Sequence, residues 1–174
     1  MLDSPIKNHP SPYSRRHQLL GLTGWIILTA VAATLGAFAS LDAGDFYMQL
    51  DRPAWAPPAW LFAPVWTVLY IMMAVAVWLV WRLGNTRRIR IAEVLYIIQL
   101  AANALWTWLF FSWHQGALAF AEITVLWLLL AATMSVFWTL HRFAAILLMP
   151  YLAWNSFASI LCLSVWLRNP AALS

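Results

Sequence analysis

Charge is scarce in these 174 residues: Asp, Glu, Lys and Arg together make up 9%. A water-soluble domain carries about 25%, so the ordinary soluble globular class is excluded. Cysteine is almost missing. The single Cys162 allows no internal disulfide and no thiolate metal cluster, and no C-x-x-C-H haem attachment occurs. No phosphate loop, metal-ligand spacing or Ser-His-Asp grouping is present, which argues against a hydrolase or an ATP-driven pump. In place of these stand 64% hydrophobic residues, 13 tryptophans and a mean hydropathy of +0.75. This is the composition of an integral membrane protein.

Crossing about 30 Å of hydrocarbon takes roughly 20 helical residues. Charge-poor runs of that length occur five times, at about 19–41, 58–81, 91–113, 116–140 and 143–167. Lipid offers backbone polar groups no water, and the runs lack the alternation of a barrel strand, so each is expected to be a helix. The expected fold class is an all-α membrane domain, one five-helix bundle over 19–168, with tails at 1–18 and 169–174. A run beginning "SRRHQLLGL" and closing with "AFAS" imitates a cleaved secretory signal. Its apolar stretch is longer than a signal core, so a retained first span is expected. The tail 1–18, with Pro5, Pro10 and Pro12, is expected to be disordered.

The net charge of +4 is explained by its distribution. Lys7, Arg15, Arg16, Arg82, Arg87, Arg88, Arg90 and Arg142 fall at one end of the expected helices, and only Arg52 and Arg168 at the other. That bias orients a membrane protein with its N-terminus in the cytoplasm and its C-terminus outside, and it leaves no need for a nucleic-acid partner.

The first inter-helix loop, 42–57, is unlike the others. It joins Asp42, Asp45 and Asp51 to Phe46, Tyr47, Trp55, Pro53 and Pro57. Trp55 and Trp60 have two readings: anchors at the bilayer interface, or parts of an aromatic lid over one end of the bundle. Pro57 and Pro58 suit a helix start, and Pro64, about a turn later, is expected to kink the second span.

Inside the bundle, polar groups and indoles at helical spacing mark inward faces. Trp66 and Tyr70 are four residues apart. Gln99, Asn103, Trp106 and Phe110 form one stripe, and Trp154, Ala158 and Cys162 another. Each alone is satisfied by core packing; three aimed at one place point to a cavity. Glu122 is an intramembrane acid, either functional or a structural partner of Gln115 or His114.

The runs "FYMQLDRPAWAPPAWLFAPVWTVLY", "QLAANALWTWLFF" and "PYLAWNSFAS" closely resemble three signature regions of the translocator protein family, whose bacterial members are tryptophan-rich sensory proteins. The resemblance covers nearly everything after residue 18. It implies a five-helix bundle, commonly a homodimer, in a bacterial cell membrane. It also implies a pocket under the first loop for porphyrins such as protoporphyrin IX and haem, for synthetic benzodiazepine-type ligands and, in animal members, for sterols. The implied pocket takes Tyr47, Trp55 and Pro57 from the loop and Trp66, Asn103, Trp106, Trp154 and Ala158 from the helices. Tyr70, Phe110 and Cys162 join them from the stripes above, and Glu122 as the intramembrane acid. Indoles stack well on a macrocycle face, and an apolar cavity needs few polar anchors.

Three features depart from the family pattern. Leu163 and Leu167 replace a tyrosine and an arginine of the animal sterol motif, so sterol recognition is not implied. Cys162 stands where many members have asparagine, and Val94 and Ile98 replace the glycines of a G-x-x-x-G dimer motif. Ala32, Gly36 and Ser40 offer another small-residue face for pairing. The expected function is a tetrapyrrole receptor or carrier, with no covalent cofactor, metal or catalytic residue. The alternatives are an enzyme of light- or oxygen-dependent porphyrin degradation and a ligand-tuned regulatory scaffold.

Overall fold

The computed structural model describes residues 11–174. Its helices are α1 (Arg15–Ala39), the short α2 (Ala43–Gln49), α3 (Phe62–Trp81), α4 (Arg87–Thr107), α5 (Gly116–Leu140) and α6 (Arg142–Arg168). A 3-10 turn, Ala59–Leu61, leads into α3, and a π-turn, Trp108–Ser112, extends α4. With those extensions, five helices are long and apolar enough to cross a membrane, and no strand occurs among the described residues.

Several boundaries correct the sequence-based expectation. The first helix begins at Arg15, inside the tail assigned to 1–18, because the Ser14 hydroxyl accepts the His17 N–H at 3.3 Å. Tyr13 stacks on both His17 and Trp81 at 4.7 Å, and Ser11 donates to the Arg82 carbonyl at 2.7 Å. The rest of that tail, Lys7 included, lies outside the described residues. The segment 42–57, expected as a lid loop, contains α2. Pro64 is the third residue of α3 and the sixth counted from the start of the 3-10 turn, so its missing N–H falls where that turn passes into the α-helix. The proline inside a span is Pro150 of α6, which removes the bond to the carbonyl four residues earlier.

The five long helices close into a ring. Helix α1 packs on α3 and α4, α3 on α6, α6 on α5, and α5 on α4, so the spatial order is α1, α3, α6, α5, α4. Close approaches depend on missing side chains: a Cβ on Gly21 would collide with the Trp81 ring, and one on Gly116 with the Trp166 ring. Two apolar clusters fill the ring. The larger holds Met73, Val77, Tyr96, Leu130, Phe137 and Leu148. The smaller, at the end where α1 stops and α3 starts, holds Leu109, Phe110, Ala119, Cys162 and Leu173. Outside, Leu19, Ile27, Val31, Val68 and Ile160 are exposed, the pattern of a surface solvated by lipid. Val94 and Ile98 are on that outer surface, whereas Ala32 and Gly36 are buried, Gly36 lying 3.3 Å (as an added Cβ) from the Thr107 hydroxyl. Ala32 and Gly36 of the small-residue face of α1 therefore point into the bundle.

Candidate functional site

A cavity of about 490 Å³ lies between α1, α3, α4 and α6 at the α2 end of the bundle. Trp66 and Tyr70 supply the α3 wall, their rings 5.4 Å apart and tilted by 32°. Trp106 and Thr107 come from α4, Trp154 and Ala158 from α6. The remaining side is made of small groups on α1, at Ala33, Gly36, Ala37 and Ser40. Bulky rings facing small side chains leave a volume that neither can fill. Among the described residues lining it, none carries a charge.

Helix α2 roofs the cavity through Ala43, Gly44 and Tyr47. Tyr47 is buried: its hydroxyl donates to the Pro57 carbonyl at 3.2 Å and its ring meets Phe62 edge-on at 5.5 Å. Burial raises the Tyr47 pKa, against the opposing influence of Arg52, so the phenol keeps the proton it donates. The Arg52 guanidinium lies 4.8 Å from the centre of that ring. The roof is also moored at two flanks. Phe46 stacks on His114 at 4.1 Å. Asn169, beyond α6, accepts the Asp51 N–H and donates to the Asp51 carbonyl, both at 2.9 Å, while Arg168 pairs with the Asp51 carboxylate at 3.6 Å.

Behind the α3 wall runs a polar relay. The Tyr70 hydroxyl donates to Asn103 Oδ1 at 2.7 Å, and Asn103 Nδ2 donates to the Tyr151 hydroxyl at 2.9 Å. This fixes the Tyr70 ring at the cavity edge. By contrast, the indole N–H groups of Trp106 and Trp154 are buried with no partner. The arrangement can do one thing well: hold a flat, apolar body against aromatic faces, with neutral donors nearby.

The model of the TspO/MBR family matches residues 25–167. The chain belongs to the TspO/MBR family. It is 37% identical over 142 residues to the tryptophan-rich protein TspO of Chlorobaculum tepidum, a match covering 81% of this chain and 90% of that one. It is 33% identical to the protein CrtK of Rhodobacter capsulatus, covering 87% and 96%, and 34% identical to the translocator protein of Bos taurus, covering 84% and 88%. Membership and five spanning helices make it an integral, multi-pass membrane protein.

In this TspO/MBR chain, six of the residues expected at the pocket line the cavity: Tyr47, Trp66, Tyr70, Trp106, Trp154 and Ala158. The other six do not. Trp55 is 49% exposed and leans edge-on against Phe157 at 5.7 Å, while Pro57 contributes only the carbonyl that holds Tyr47. Asn103 supports Tyr70 from behind. Cys162 is buried in the smaller apolar cluster. Glu122 buries both carboxyl oxygens without a partner, so neither Gln115 nor His114 satisfies it.

Phe110 misses the cavity for a geometric reason. The Trp113 N–H bonds to the Trp108 carbonyl, five residues back, and this wider turn inserts one residue into the α4 repeat. Phe110 is thereby rotated into the smaller cluster, and Phe111 takes the cavity position instead. Phe62, Thr67, Thr107 and the α1 side were not anticipated. For α1 the signal was present in "AATLGAFAS", a face of small residues at helical spacing, but small residues equally mark helix contacts.

Proposed function

We propose that this chain is a membrane receptor or carrier for tetrapyrroles, protoporphyrin IX or haem, held in the cavity beneath α2. The observation that carries the reading is the cavity itself: about 490 Å³, within the roughly 300–1,000 Å³ of small-molecule sites, roofed, and walled by three indoles and a phenol. A planar macrocycle gains most from such walls, because its faces are large, polarisable and costly to leave in water. The chain sits in a bacterial cell membrane, with the α2 end outside. Arg15, Arg16, Arg82, Arg87, Arg88, Arg90 and Arg142 flank the opposite ends of the helices, which supports that orientation.

The test is titration of the purified protein in lipid nanodiscs with protoporphyrin IX, following tryptophan emission. Saturable quenching at one equivalent per chain is expected, since Trp66, Trp106 and Trp154 all border the site. Quenching that rises without saturation and equals that of empty nanodiscs mixed with free tryptophan overturns the reading.

A further inference from the structure

The cavity is neutral throughout, which constrains any ligand that carries acid groups. Moving a carboxylate into such an interior without a partner is strongly unfavourable. An acidic ligand must therefore turn its carboxylates toward the mouth, where the roof segment meets water or lipid headgroups. Three cationic or potentially cationic side chains stand near that end. Arg168 is engaged by Asp51 at 3.6 Å, and His114 is covered by the Phe46 ring. Arg52 differs. Its guanidinium lies over the ring of Tyr47, a lining residue, Arg52 itself standing outside the lining, and among the described residues it makes no ion pair. The carboxylates nearest in sequence do not neutralise it: Asp51 is taken by Arg168 and Asn169 acts on its backbone, while Asp42 and Asp45 are exposed and form no salt bridge with it.

We infer that Arg52 is the anion anchor of this site, and that its ligands are flat apolar bodies bearing a carboxylate at one edge, discriminated from their neutral counterparts by that one side chain. The inference rests on the tetrapyrrole reading above and deepens it. Held on the Tyr47 ring by cation–π attraction, the guanidinium keeps its planar fork of donors for a carboxylate, an arrangement that lysine cannot copy. Partial burial of Arg52 beside the roof strengthens the pairing relative to open water.

The experiment compares protoporphyrin IX with its dimethyl ester, which has the same ring and no ionised group. Both are titrated against the parent protein, Arg52→Gln and Arg52→Lys in neutral-lipid nanodiscs. Arg52→Gln is expected to weaken the free acid about fivefold or more while leaving the diester within about twofold, with Arg52→Lys in between. The parent's preference for the acid should also shrink at high salt. Equal losses for acid and ester would mean that Arg52 merely props Tyr47, and no loss for either would mean that it does nothing at the site; both overturn the inference and leave the cavity reading standing. A parent protein that binds neither ligand overturns both.

Discussion

Ala158 presents a single methyl to the cavity, one helical turn from the Trp154 ring. If that space is kept for a ligand, Ala158→Leu places three added carbons in it without the roughly 1–3 kcal/mol of strain that overpacking a filled core causes. The melting temperature should stay within about 3 °C, while protoporphyrin IX binding, read by tryptophan quenching, weakens roughly tenfold, or about 1.4 kcal/mol. A variant that melts far earlier yet binds normally would make Ala158 a packing residue. Such positions were legible in the sequence where a side chain is large and recurs at helical spacing, as at Trp66, Tyr70, Trp106 and Trp154. They were illegible where the backbone departs from the α repeat: one residue inserted at Trp108–Ser112 exchanges Phe110 for Phe111, and no periodicity argument sees it coming. The spacing of Asn103 marks it as inward but not as set back from the cavity, because spacing gives a direction and not the length of the relay standing in between.

At the scale of elements, apolar length identifies a span and capping sets its ends. The start of α1 was hidden because Arg15, Arg16, His17 and Gln18 are polar, and only the Ser14 hydroxyl extends the helix over them. Helix α2 was hidden by its brevity, seven residues held by the tertiary contacts of Phe46 and Tyr47. Helix α6 has a cap that titrates: His141 Nδ1 accepts the Ala144 N–H at 3.2 Å, which requires the neutral imidazole. Burial lowers the His141 pKa, aided by Arg82 and opposed by the residue's own backbone hydrogen bond. A base whose folded pKa is depressed binds fewer protons folded than unfolded. Its contribution is complete above the unfolded value, about 6.5, and is lost as pH falls through the folded value. Melting in nanodiscs should therefore be flat above about pH 7 and decline by a few degrees toward about pH 5. His141→Asn, which retains a capping oxygen, should remove that part of the decline. An identical decline in the variant would assign it to other groups.

The molecule as a whole is asymmetric in charge, and the proposed orientation rests on that asymmetry. With Cys162 replaced by Ser, a cysteine at position 45 should react with a membrane-impermeant maleimide in intact cells, and one at position 87 only after permeabilisation. The reverse pattern would invert the protein. The five-span architecture was legible because lipid forces continuous apolar helices. The order of those helices around the ring was not, since the neighbours α1 with α4 and α3 with α6 are distant in the chain, and nothing in their composition specifies partners.

That order bears on biosynthesis. Helices threaded into the bilayer one after another can pair α1 with α3, then α4 with α1, then α5 with α4, while a gap persists between α3 and α5. Only α6 spans it, and α6 carries both Trp154 and Ala158 as well as the segment that ties down Asp51. The cavity thus lacks one of its walls until the last span arrives.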